Sequence, residues 1–359
     1  MILDKSLTIE WITNISNYYR ITDKKLTEKT IRAFYLLDSL INISNMQFIF
    51  KGGTALILLL KKLYRLSIDI DILMPNIIDF NKYFDQIIKH NHFIKYEENI
   101  RKPIYSIQKY HYKFFYNSAI DNKIDYILLD IVIGENYYTD IRKIAIVNPL
   151  LYTEDTISKV KIPSIDNILA DKLTAFAPNT IGIPYIKNEK DMSMDIIKQL
   201  YDIGNLFQHA TNINIIKKVF MCIALAEIKN RKLDKTIGDI LDDIKLTTKN
   251  LSTKGSINSR EFVTLKKGIG RVRTHIILQK YNVNEAIIDA SKVAYCVELI
   301  KNSDSTILKY TDSNIKQILE KSITPITTIN KTLNNLKKII PEAFFYWYQI
   351  HLLENNNNF

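Results

Sequence analysis

Cysteine is scarce in this sequence. The 359 residues include two cysteines, Cys222 and Cys296, which lie far apart in apolar stretches with helical spacing. Two such residues cannot supply a disulfide framework or a cysteine-based zinc site, so the sequence argues against both a disulfide-rich domain and a cysteine-ligated zinc domain. We therefore expect two buried free thiols in a protein of the reducing cytosol.

Long hydrophobic runs are also scarce. The apolar run Ala55–Leu60 has six residues, whereas a membrane-spanning helix needs about 20. The first residues, Met1–Lys5, do not begin the apolar core of a signal peptide. With 47% hydrophobic and 24% charged residues, the composition is that of a globular protein. We expect a soluble, cytoplasmic protein without a membrane partner.

Acidic residues are outnumbered by basic ones. Lys and Arg total 49 and Asp and Glu total 38, which gives a formal net charge of +11. This excess favours a polyanionic partner such as RNA. The alternative is compositional drift, because Ile and Asn are abundant together with Lys. The basic clusters of the second half are Lys217-Lys218, Lys229–Lys232, Lys266-Lys267, Arg271, Arg273 and Lys337-Lys338. The segment Lys266–Arg273 is the best candidate for RNA, because its glycines would let phosphates approach the backbone.

The two halves of the chain differ in pattern. In the first half, apolar and β-branched stretches predict strands at Met46–Lys51, Ser67–Leu73 and Tyr126–Ile133. Thr54–Leu63 predicts a helix that Thr54 can cap. After Pro163, a helix that Ser164 can cap is predicted to about Ala177, and from about Met192 onward the patterns are almost entirely helical. We therefore expect a mixed region of strands and helices followed by a helical region.

A glycine pair lies where a predicted strand meets a predicted helix. In Lys51-Gly52-Gly53-Thr54 the glycines allow a phosphate to approach the backbone closely. Amides at the start of a helix point toward an anion, and the helix dipole adds to this attraction. Thr54 contributes a hydroxyl. The alternative is a tight turn without a ligand, and the glycine pair alone does not decide between the two.

Two acids follow on the next predicted strand. Side chains alternate faces along a strand, so a strand that is regular throughout places on one face Arg65, Ser67, Asp69 and Asp71. Like charges this close repel each other. A divalent cation would remove that penalty, and carboxylate oxygens suit Mg²⁺ or Mn²⁺. The alternative, a solvated acidic loop, conflicts with the isoleucines that alternate with the acids. We predict metal binding here.

A third acid, Asp130, interrupts the strongly apolar strand predicted at Tyr126–Ile133. A buried carboxylate is costly unless it is paired or binds a ligand. If this strand neighbours the one that carries Asp71, three carboxylates converge. Two metal ions about 3.5–4 Å apart are a recurrent device for phosphoryl-type transfer. We predict that Asp130 is a metal ligand, and it can also accept the proton of an attacking hydroxyl.

Four segments in order resemble motifs of the AbiEii/AbiGii-type nucleotidyltransferase toxins, members of the DNA polymerase beta-like superfamily. These are the glycine corner from Lys51, the segment Arg65–Asp71, and two downstream segments, Leu169–Phe176 and Ile197–Ile203. The resemblance implies an α+β fold, with an N-terminal polymerase beta-like nucleotidyltransferase domain built on a mixed sheet and a C-terminal helical bundle. We place these domains at residues 1–205 and 206–359, and expect the second to bind RNA or an antitoxin.

The resemblance also implies roles for the site residues. The metal ligands would be Asp69, Asp71 and Asp130, which would also be catalytic together with Lys172 and Asp202. The nucleotide would be bound by Lys51, Gly52, Gly53, Thr54, Arg65 and Ser67. Lys172 would neutralise phosphate charge. From the residues alone, Lys172 can equally be an exposed helix lysine, Lys51 and Arg65 can equally pair with the nearby acids, and Asp202 can equally form a structural ion pair.

The chain departs from the family pattern at Lys198-Gln199, where members often have Arg-Asp. Asp191, Asp195 and Asp202 therefore all stay candidates for the downstream acid. The segment Pro178–Lys190 resembles a subfamily insertion that can carry substrate specificity.

We therefore expect a toxin of a phage-defence type toxin–antitoxin system, neutralised by a cognate antitoxin. Its reaction would use an NTP and Mg²⁺, or Mn²⁺, to transfer an NMP to RNA, with the 3′ end of tRNA as the expected acceptor, and so block translation. One alternative is a catalytically inactive module of this fold that binds RNA or protein. Another is an Asp-x-Asp glycosyltransferase that uses a nucleotide sugar. The intact acids with Lys172 argue against the first, and the helical second half argues against the second.

Overall fold

The structure is a computed structural model that describes residues 1–90, 92–100, 108–154, 157–277, 279–302 and 306–356. The chain divides into two compact units. Unit 1 comprises Met1–Ser164 and Thr274–Lys280, and unit 2 comprises Ile165–Arg273 and Tyr281–Phe359. This division differs from the predicted functional boundary at residue 205, which falls inside the continuous helix Ser193–His209. The functional division itself stays a prediction.

Unit 1 contains helices and strands in alternation. Its helices are α1 (Ile9–Tyr18), α2 (Lys24–Asn42), α3 (Gly52–Leu59) and α4 (Phe80–His90). Its strands are β1 (Ile49–Lys51), β2 (Ile70–Met74), β3 (Lys95–Glu98), β4 (Gln108–Asn117), β5 (Ile124–Ile133), β6 (Ile141–Ala145) and β7 (Lys159–Pro163). Side-chain caps begin α1 and α2: Thr8 accepts a hydrogen bond from the Trp11 amide, and Asp23 accepts one from the Leu26 amide.

The central sheet of unit 1 is mixed, as predicted. Its strand order is β1-β2-β5-β4-β3, with β2 and β5 parallel and the other neighbours antiparallel. The centre of one face is apolar, because alternate residues of the two parallel strands are buried, including Ile70, Ile72, Ile127, Leu129 and Ile131. Helix α2 contacts β5 and α4 contacts β3. The residues between these buried positions therefore project from the opposite face of the sheet.

The predicted strand Ser67–Leu73 begins later than expected. Strand β2 starts at Ile70, so the premise of a regular strand from Arg65 to Asp71 is wrong. The reason lies far along the chain: residues 64–66 pair with residues 275–277, through hydrogen bonds from the Leu66 amide to the His275 carbonyl (2.8 Å) and from the Ile277 amide to the Tyr64 carbonyl (3.0 Å). Because residues 64–66 pair with this distant segment, they are not part of the hydrogen-bonded ladder of the central sheet, which β2 joins at Ile70.

In the residues of unit 2 that the structure describes, the only strands form one short hairpin and the rest of the regular structure is helical, which confirms the α+β fold class. Its helices are α5 (Ile165–Ala175), α6 (Ser193–His209), α7 (Ile213–Arg231), α8 (Ile237–Ser252), α9 (Ser259–Val272), α10 (Val283–Lys301), α11 (Asp312–Lys316), α12 (Thr328–Ile339) and α13 (Pro341–Asn356). The hairpin consists of β8 (Ile186–Lys187) and β9 (Lys190–Asp191). Capping boxes at Thr236 and Asn282 fix the starts of α8 and α10.

Helix α10 is the core helix of unit 2 and contacts α6, α8 and α13. It carries a buried acid, Asp289, which accepts a hydrogen bond of 2.9 Å from the Tyr281 hydroxyl. Gly204 of α6 lies so close that a β-carbon there would be 2.0 Å from Asp289 Oδ1. Burial raises the pKa of Asp289 to about 7. The core of unit 2 therefore contains a titratable group that is not in the chemistry predicted from the sequence.

Both cysteines are free thiols, and both lie in unit 2. Cys296 is buried in α10 and Cys222 is half-buried in α7. Burial raises the pKa of Cys296 to about 12, so this thiol is unreactive. Within the described part of the chain, no helix combines the length and the apolar character that crossing a membrane requires.

Candidate active site

Four polar side chains form a row across the central sheet of unit 1. Lys51 of β1 is the register partner of Asp71 on β2, Asp71 is the partner of Asp130 on β5, and Asp130 is the partner of His111 on β4. Register partners on neighbouring strands project to the same face of a sheet. We call these four residues the polar row. It lies on the face opposite the buried isoleucines.

The centre of the polar row is a pair of carboxylates on adjacent parallel strands. Strands of a sheet lie about 4.8 Å apart, a spacing at which Asp71 and Asp130 repel each other. The row places a lysine on one side of the pair and a histidine on the other. His111 Nδ1 lies 2.6 Å from Asp130 Oδ1 in a hydrogen bond. The side chains are 12% exposed for His111 and 28% for Asp130, so this contact is partly shielded from water.

Gly52 supports the carboxylate of Asp71. Its φ is +77°, in the region that L side chains rarely adopt. A β-carbon at this position would lie 2.0 Å from Asp71 Oδ2. Only glycine therefore lets the backbone at the start of α3 approach this carboxylate. The predicted approach of a phosphate to this glycine stays a prediction, and in this structure the backbone at Gly52 lies close to the Asp71 carboxylate.

Gly53 brings two further predicted residues to the same corner. A β-carbon there would lie 2.5 Å from Arg65 Nη2 and 2.8 Å from Ser67 Oγ. Arg65 is buried, and its Nη1 donates to the carbonyl of Leu66 at 3.1 Å. Although the strand is not regular, Arg65 and Ser67 both lie at the glycine corner, and their contact with a nucleotide stays a prediction. The antiparallel pairing of residues 64–66 with 275–277 fixes this segment.

Thr54 has a different local role from the one predicted. The N-cap position of α3 is Lys51 and not Thr54, which lies inside the helix. The buried hydroxyl of Thr54 donates to the carbonyl oxygen of Asp69 at 2.6 Å. Thr54 therefore fixes the residue that precedes β2. Its predicted contact with phosphate stays a prediction, and in this structure the hydroxyl orders the acidic segment.

Among the residues that the structure describes, no three His, Cys, Asp or Glu side chains are grouped so as to hold a metal ion. Asp69 precedes the strand on which Asp71 pairs with Asp130, so the register aligns two of the three predicted carboxylates. Mg²⁺ in phosphoryl-transfer sites is generally bound by one or two carboxylates together with substrate phosphates and water. Two adjacent carboxylates fit this donor set. Metal binding by Asp69, Asp71 and Asp130 stays a prediction.

Lys172 and Asp202 form a buried ion pair in unit 2. Lys172 Nζ on α5 lies 2.7 Å from Asp202 Oδ2 on α6, and their side chains are 7% and 2% exposed. Lys172 also donates to Gln199 Oε1 at 3.1 Å. The reading of Lys172 as an exposed helix lysine is therefore wrong. Breaking such a pair by removing one partner is strongly destabilising, so the pair has a structural role in addition to the predicted catalytic one.

The other two candidates for the downstream acid contact different residues. Asp191 at the end of β9 pairs with Lys267 and Arg271 of α9, at 2.9 and 3.1 Å. Asp195 lies 3.5 Å from Lys198 on its own helix. Asp202 is thus the candidate that contacts Lys172. The sequence pattern left these three acids equivalent, because helical spacing does not show which helix packs against which.

Sequence reasoning missed two parts of the site. His111 showed no ligand spacing and was not singled out. The signal that identifies it is the register of the β4–β5 hairpin, which sets His111 opposite Asp130. The segment 275–277, which supports Arg65, carried no recognisable signal, because its partner lies more than two hundred residues earlier.

A sequence model of the family described as "Nucleotidyl transferase AbiEii toxin, Type IV TA system" matches residues 36–275. No curated protein matches the chain in sequence. Similar solved structures include the crystal structure of JHP933 from Helicobacter pylori, with a TM-score of 0.41 and 15% identity, covering 76% of this chain and 92% of that one. The crystal structure of a putative nucleotidyltransferase from H. pylori has the same TM-score and identity and covers 76% and 95%.

The matched residues span two thirds of the chain and include the polar row, the glycine corner and the Lys172–Asp202 pair. The resemblance noted from the sequence motifs is confirmed. The chain belongs to the AbiEii nucleotidyltransferase toxin family of type IV toxin–antitoxin systems.

Proposed function

We propose that the protein is a metal-dependent nucleotidyltransferase toxin that transfers an NMP from an NTP to the 3′ end of an RNA, with tRNA as the acceptor, and so blocks translation. The observation that carries the proposal is the register pairing of Asp71 with Asp130 on adjacent strands. Gly52 lies beside this pair, at a position where any side chain would clash with Asp71. A cognate antitoxin is implied by the family description.

The glycine corner would bind the triphosphate. The first amides of α3, at Gly52 and Gly53, have no partners within the helix itself, and the positive end of the helix dipole lies there. Lys51 immediately precedes them, and Arg65 lies against Gly53. Backbone amides and two cations around one corner are suited to a polyphosphate. Their binding energy would fix the position of the α-phosphate relative to the polar row.

The acceptor hydroxyl would be activated at Asp130. Its Oδ1 is bonded to His111, and this bond fixes the orientation of the carboxylate and leaves Oδ2 to accept the proton of the RNA hydroxyl. The hydroxyl oxygen would then form a bond to the α-phosphorus, and pyrophosphate would leave. A divalent cation bound by the two acids and the phosphates would neutralise the charge of the triphosphate. His111 thus acts as a positioning residue.

An RNA acceptor is supported by the net charge of +11, which attracts a polyanion at long range. The toxin family supports a target whose modification stops growth. Lys172 and Asp202 form their ion pair within unit 2, and we keep their catalytic role as a prediction to be measured separately.

The test is transfer of labelled nucleotide. The protein is incubated with each labelled NTP, Mg²⁺ and total tRNA, and label in RNA is counted. We expect transfer by the wild type and a loss of at least about 10²-fold in Asp71→Asn and Asp130→Asn, since each removes one charged oxygen donor. The matched control is Asp125→Asn. Asp125 lies on the same strand as Asp130 and forms a half-buried ion pair with Lys29 at 2.7 Å, so Asp125→Asn should leave transfer unchanged.

The alternatives give different results. A catalytically inactive module would retain RNA equally in wild type and Asp71→Asn and transfer no label from any NTP. A glycosyltransferase would consume a nucleotide sugar and leave tRNA unlabelled. Either result would overturn the proposal. In cells, expression of the wild type should arrest growth and expression of Asp71→Asn should not.

A further inference from the structure

We propose that a basic surface of unit 2, formed by the β8–β9 hairpin and the outer side of α9, binds the phosphate backbone of the RNA acceptor. We call it the hairpin–α9 surface and define it as residues 186–191 and 266–273. The inference rests on the proposed function, because it names where the acceptor of that reaction is held.

One acid connects the hairpin to the helix. Asp191 Oδ2 lies 2.9 Å from Lys267 Nζ and 3.1 Å from Arg271 Nη1, and its Oδ1 accepts a hydrogen bond of 2.9 Å from the Ser193 amide. Hydrogen bonds from Ser193 and Lys267 hold the pKa of Asp191 well below its usual range, so the carboxylate stays ionised. The hairpin and the helix therefore form one continuous surface.

The base of the hairpin is also fixed. Asp243 on α8 accepts hydrogen bonds from the Asn179 amide (2.9 Å), from Asn179 Nδ2 (2.9 Å) and from the Thr180 hydroxyl (2.8 Å). Gly182 lies against the backbone of the Ala175–Ala177 turn, where a β-carbon would be 2.5 Å or less from two backbone atoms. The segment that resembles a subfamily insertion is thus anchored at its base and at its end. A preordered surface loses little conformational entropy when it binds a ligand.

The charge of the hairpin–α9 surface is strongly positive. Its sequence contains two acids, Glu189 and Asp191, and a larger set of exposed basic residues, Lys187, Lys190, Lys266, Lys267, Arg271 and Arg273. Asp191 neutralises part of this charge and at the same time holds two of the cations in place. Cations held on a rigid surface are what recognition of a phosphate backbone requires.

The two glycines of α9 have opposite roles. A β-carbon at Gly268 would lie 2.3 Å from the Ser193 carbonyl oxygen, so this glycine allows close packing against α6 and is not open to phosphate. A β-carbon at Gly270 would meet nothing within 4 Å. Gly270 lies one turn after Lys266, next to the exposed Arg271. The expectation that glycines expose the backbone to phosphate therefore holds for Gly270 and is wrong for Gly268.

Two of the other basic clusters each contain a cation that is engaged within the protein. In the cluster Lys229–Lys232, Arg231 pairs with Glu227 at 2.7 Å. In the α12 cluster, the Lys337 amine donates to the carbonyl of Lys321 and lies 5.0 Å from the ring centre of Phe344. A protein partner with acidic residues would also suit a basic surface. We favour RNA because several cations line two elements, an arrangement that follows a repeating phosphate chain.

The experiment compares two triple variants of the full chain. Lys187→Gln, Lys190→Gln and Lys266→Gln together remove three exposed charges from the hairpin–α9 surface without touching the Asp191 links. The control, Lys218→Gln, Lys229→Gln and Lys235→Gln, removes three exposed lysines elsewhere in unit 2. Affinity for labelled tRNA is measured by filter binding from about 50 to 300 mM salt, together with kcat and KM for transfer. Thermal unfolding checks that both variants fold.

We expect the first variant to lose roughly tenfold or more in affinity near 100 mM salt, and the slope of log K against log salt to fall by about 2–3. KM for RNA should rise with kcat at saturating RNA unchanged, and the control should resemble the wild type. Equal binding and equal slopes in the two variants would overturn the inference while transfer by the wild type upholds the proposed function. Competition by poly-glutamate as strong as by RNA would identify an acidic protein as the ligand and overturn it too.

Discussion

Replacing Gly52 with alanine tests the geometry of the glycine corner. An alanine at φ +77° is strained by about 1–3 kcal/mol. Its β-carbon would in addition lie 2.0 Å from Oδ2 and 2.7 Å from Cγ of Asp71, so the carboxylate must move by at least about 1 Å to reach ordinary contact distance. We therefore expect the variant to fold with lower stability and to hold Asp71 out of register with Asp130.

The size of the effect follows from these two terms. A loss of about 1–3 kcal/mol lowers the midpoint of thermal unfolding by roughly 3–10 °C in a unit of this length. A displacement of about 1 Å at a reacting group costs on the order of 10²-fold in rate. Nucleotide transfer and thermal unfolding should be measured together, because strain alone lowers stability and carboxylate displacement alone lowers rate.

A matched control is Gly134→Ala, also in unit 1. Gly134 follows the end of β5, and a β-carbon there would meet nothing within 4 Å. Its stability should change by less than about 1 kcal/mol and its transfer rate should not change. Wild-type rate and stability in Gly52→Ala would refute the assignment of Gly52 as the support of Asp71. If the clash with the carboxylate matters, Gly52→Ala should destabilise less in an Asp71→Ala background.

Three further predictions concern unit 2. Gly268→Ala should lower the midpoint of thermal unfolding because its β-carbon meets the backbone of α6, whereas Gly270→Ala should raise it slightly, since alanine is the better helix former by about 1 kcal/mol; equal shifts would contradict this packing. Burial raises the pKa of Asp289 to about 7 from 3.8, so the folded protein keeps a proton that the unfolded chain releases, and stability should fall by up to about 4 kcal/mol as the pH rises from about 4 to 7. Urea unfolding across this range should show the fall in the wild type and lose it in Asp289→Asn. Asp202→Ala should lower the free energy of unfolding by about 3–5 kcal/mol, because it leaves Lys172 buried and unpaired. The double variant Lys172→Met with Asp202→Leu should recover most of that stability. Equal losses for the two variants in chemical unfolding would contradict a stabilising role of the ion pair.

Local patterns in the sequence predicted which face of a strand a candidate residue lies on better than they predicted which strands are neighbours. The alternation of isoleucine with aspartate correctly placed Asp71 on the face opposite the buried isoleucines. Asp130, the acid inside an apolar strand, lies in register beside it, and its role as a metal ligand stays a prediction. That β2 and β5 are parallel neighbours, with Asp71 and Asp130 in register, depends on the topology of the sheet and not on either segment alone. The sequence analysis could state only that the acids converge if the two strands are neighbours, and the structure shows that they are.

Tertiary contacts overrode local signals at two places. Threonine is a common helix N-cap, yet the Thr54 hydroxyl donates to the Asp69 carbonyl at 2.6 Å. The helix begins at Gly52, so Thr54 lies inside it and does not cap it. From the sequence, Lys172 can equally be an exposed helix lysine. It is buried and paired with Asp202 because α5 packs on α6. Such pairings join residues that sequence spacing cannot relate.

The pairing of residues 64–66 with 275–277 has a consequence for the order in which the protein matures. Unit 1 is not one continuous stretch of polypeptide, since Thr274–Lys280 completes it. A ribosome that has released the first 164 residues has delivered the polar row and the glycine corner but not the backbone that holds Arg65. The glycine corner of a growing chain therefore lacks this support until three quarters of the protein has been made, so we expect a copy that ends before Thr274 to be inactive.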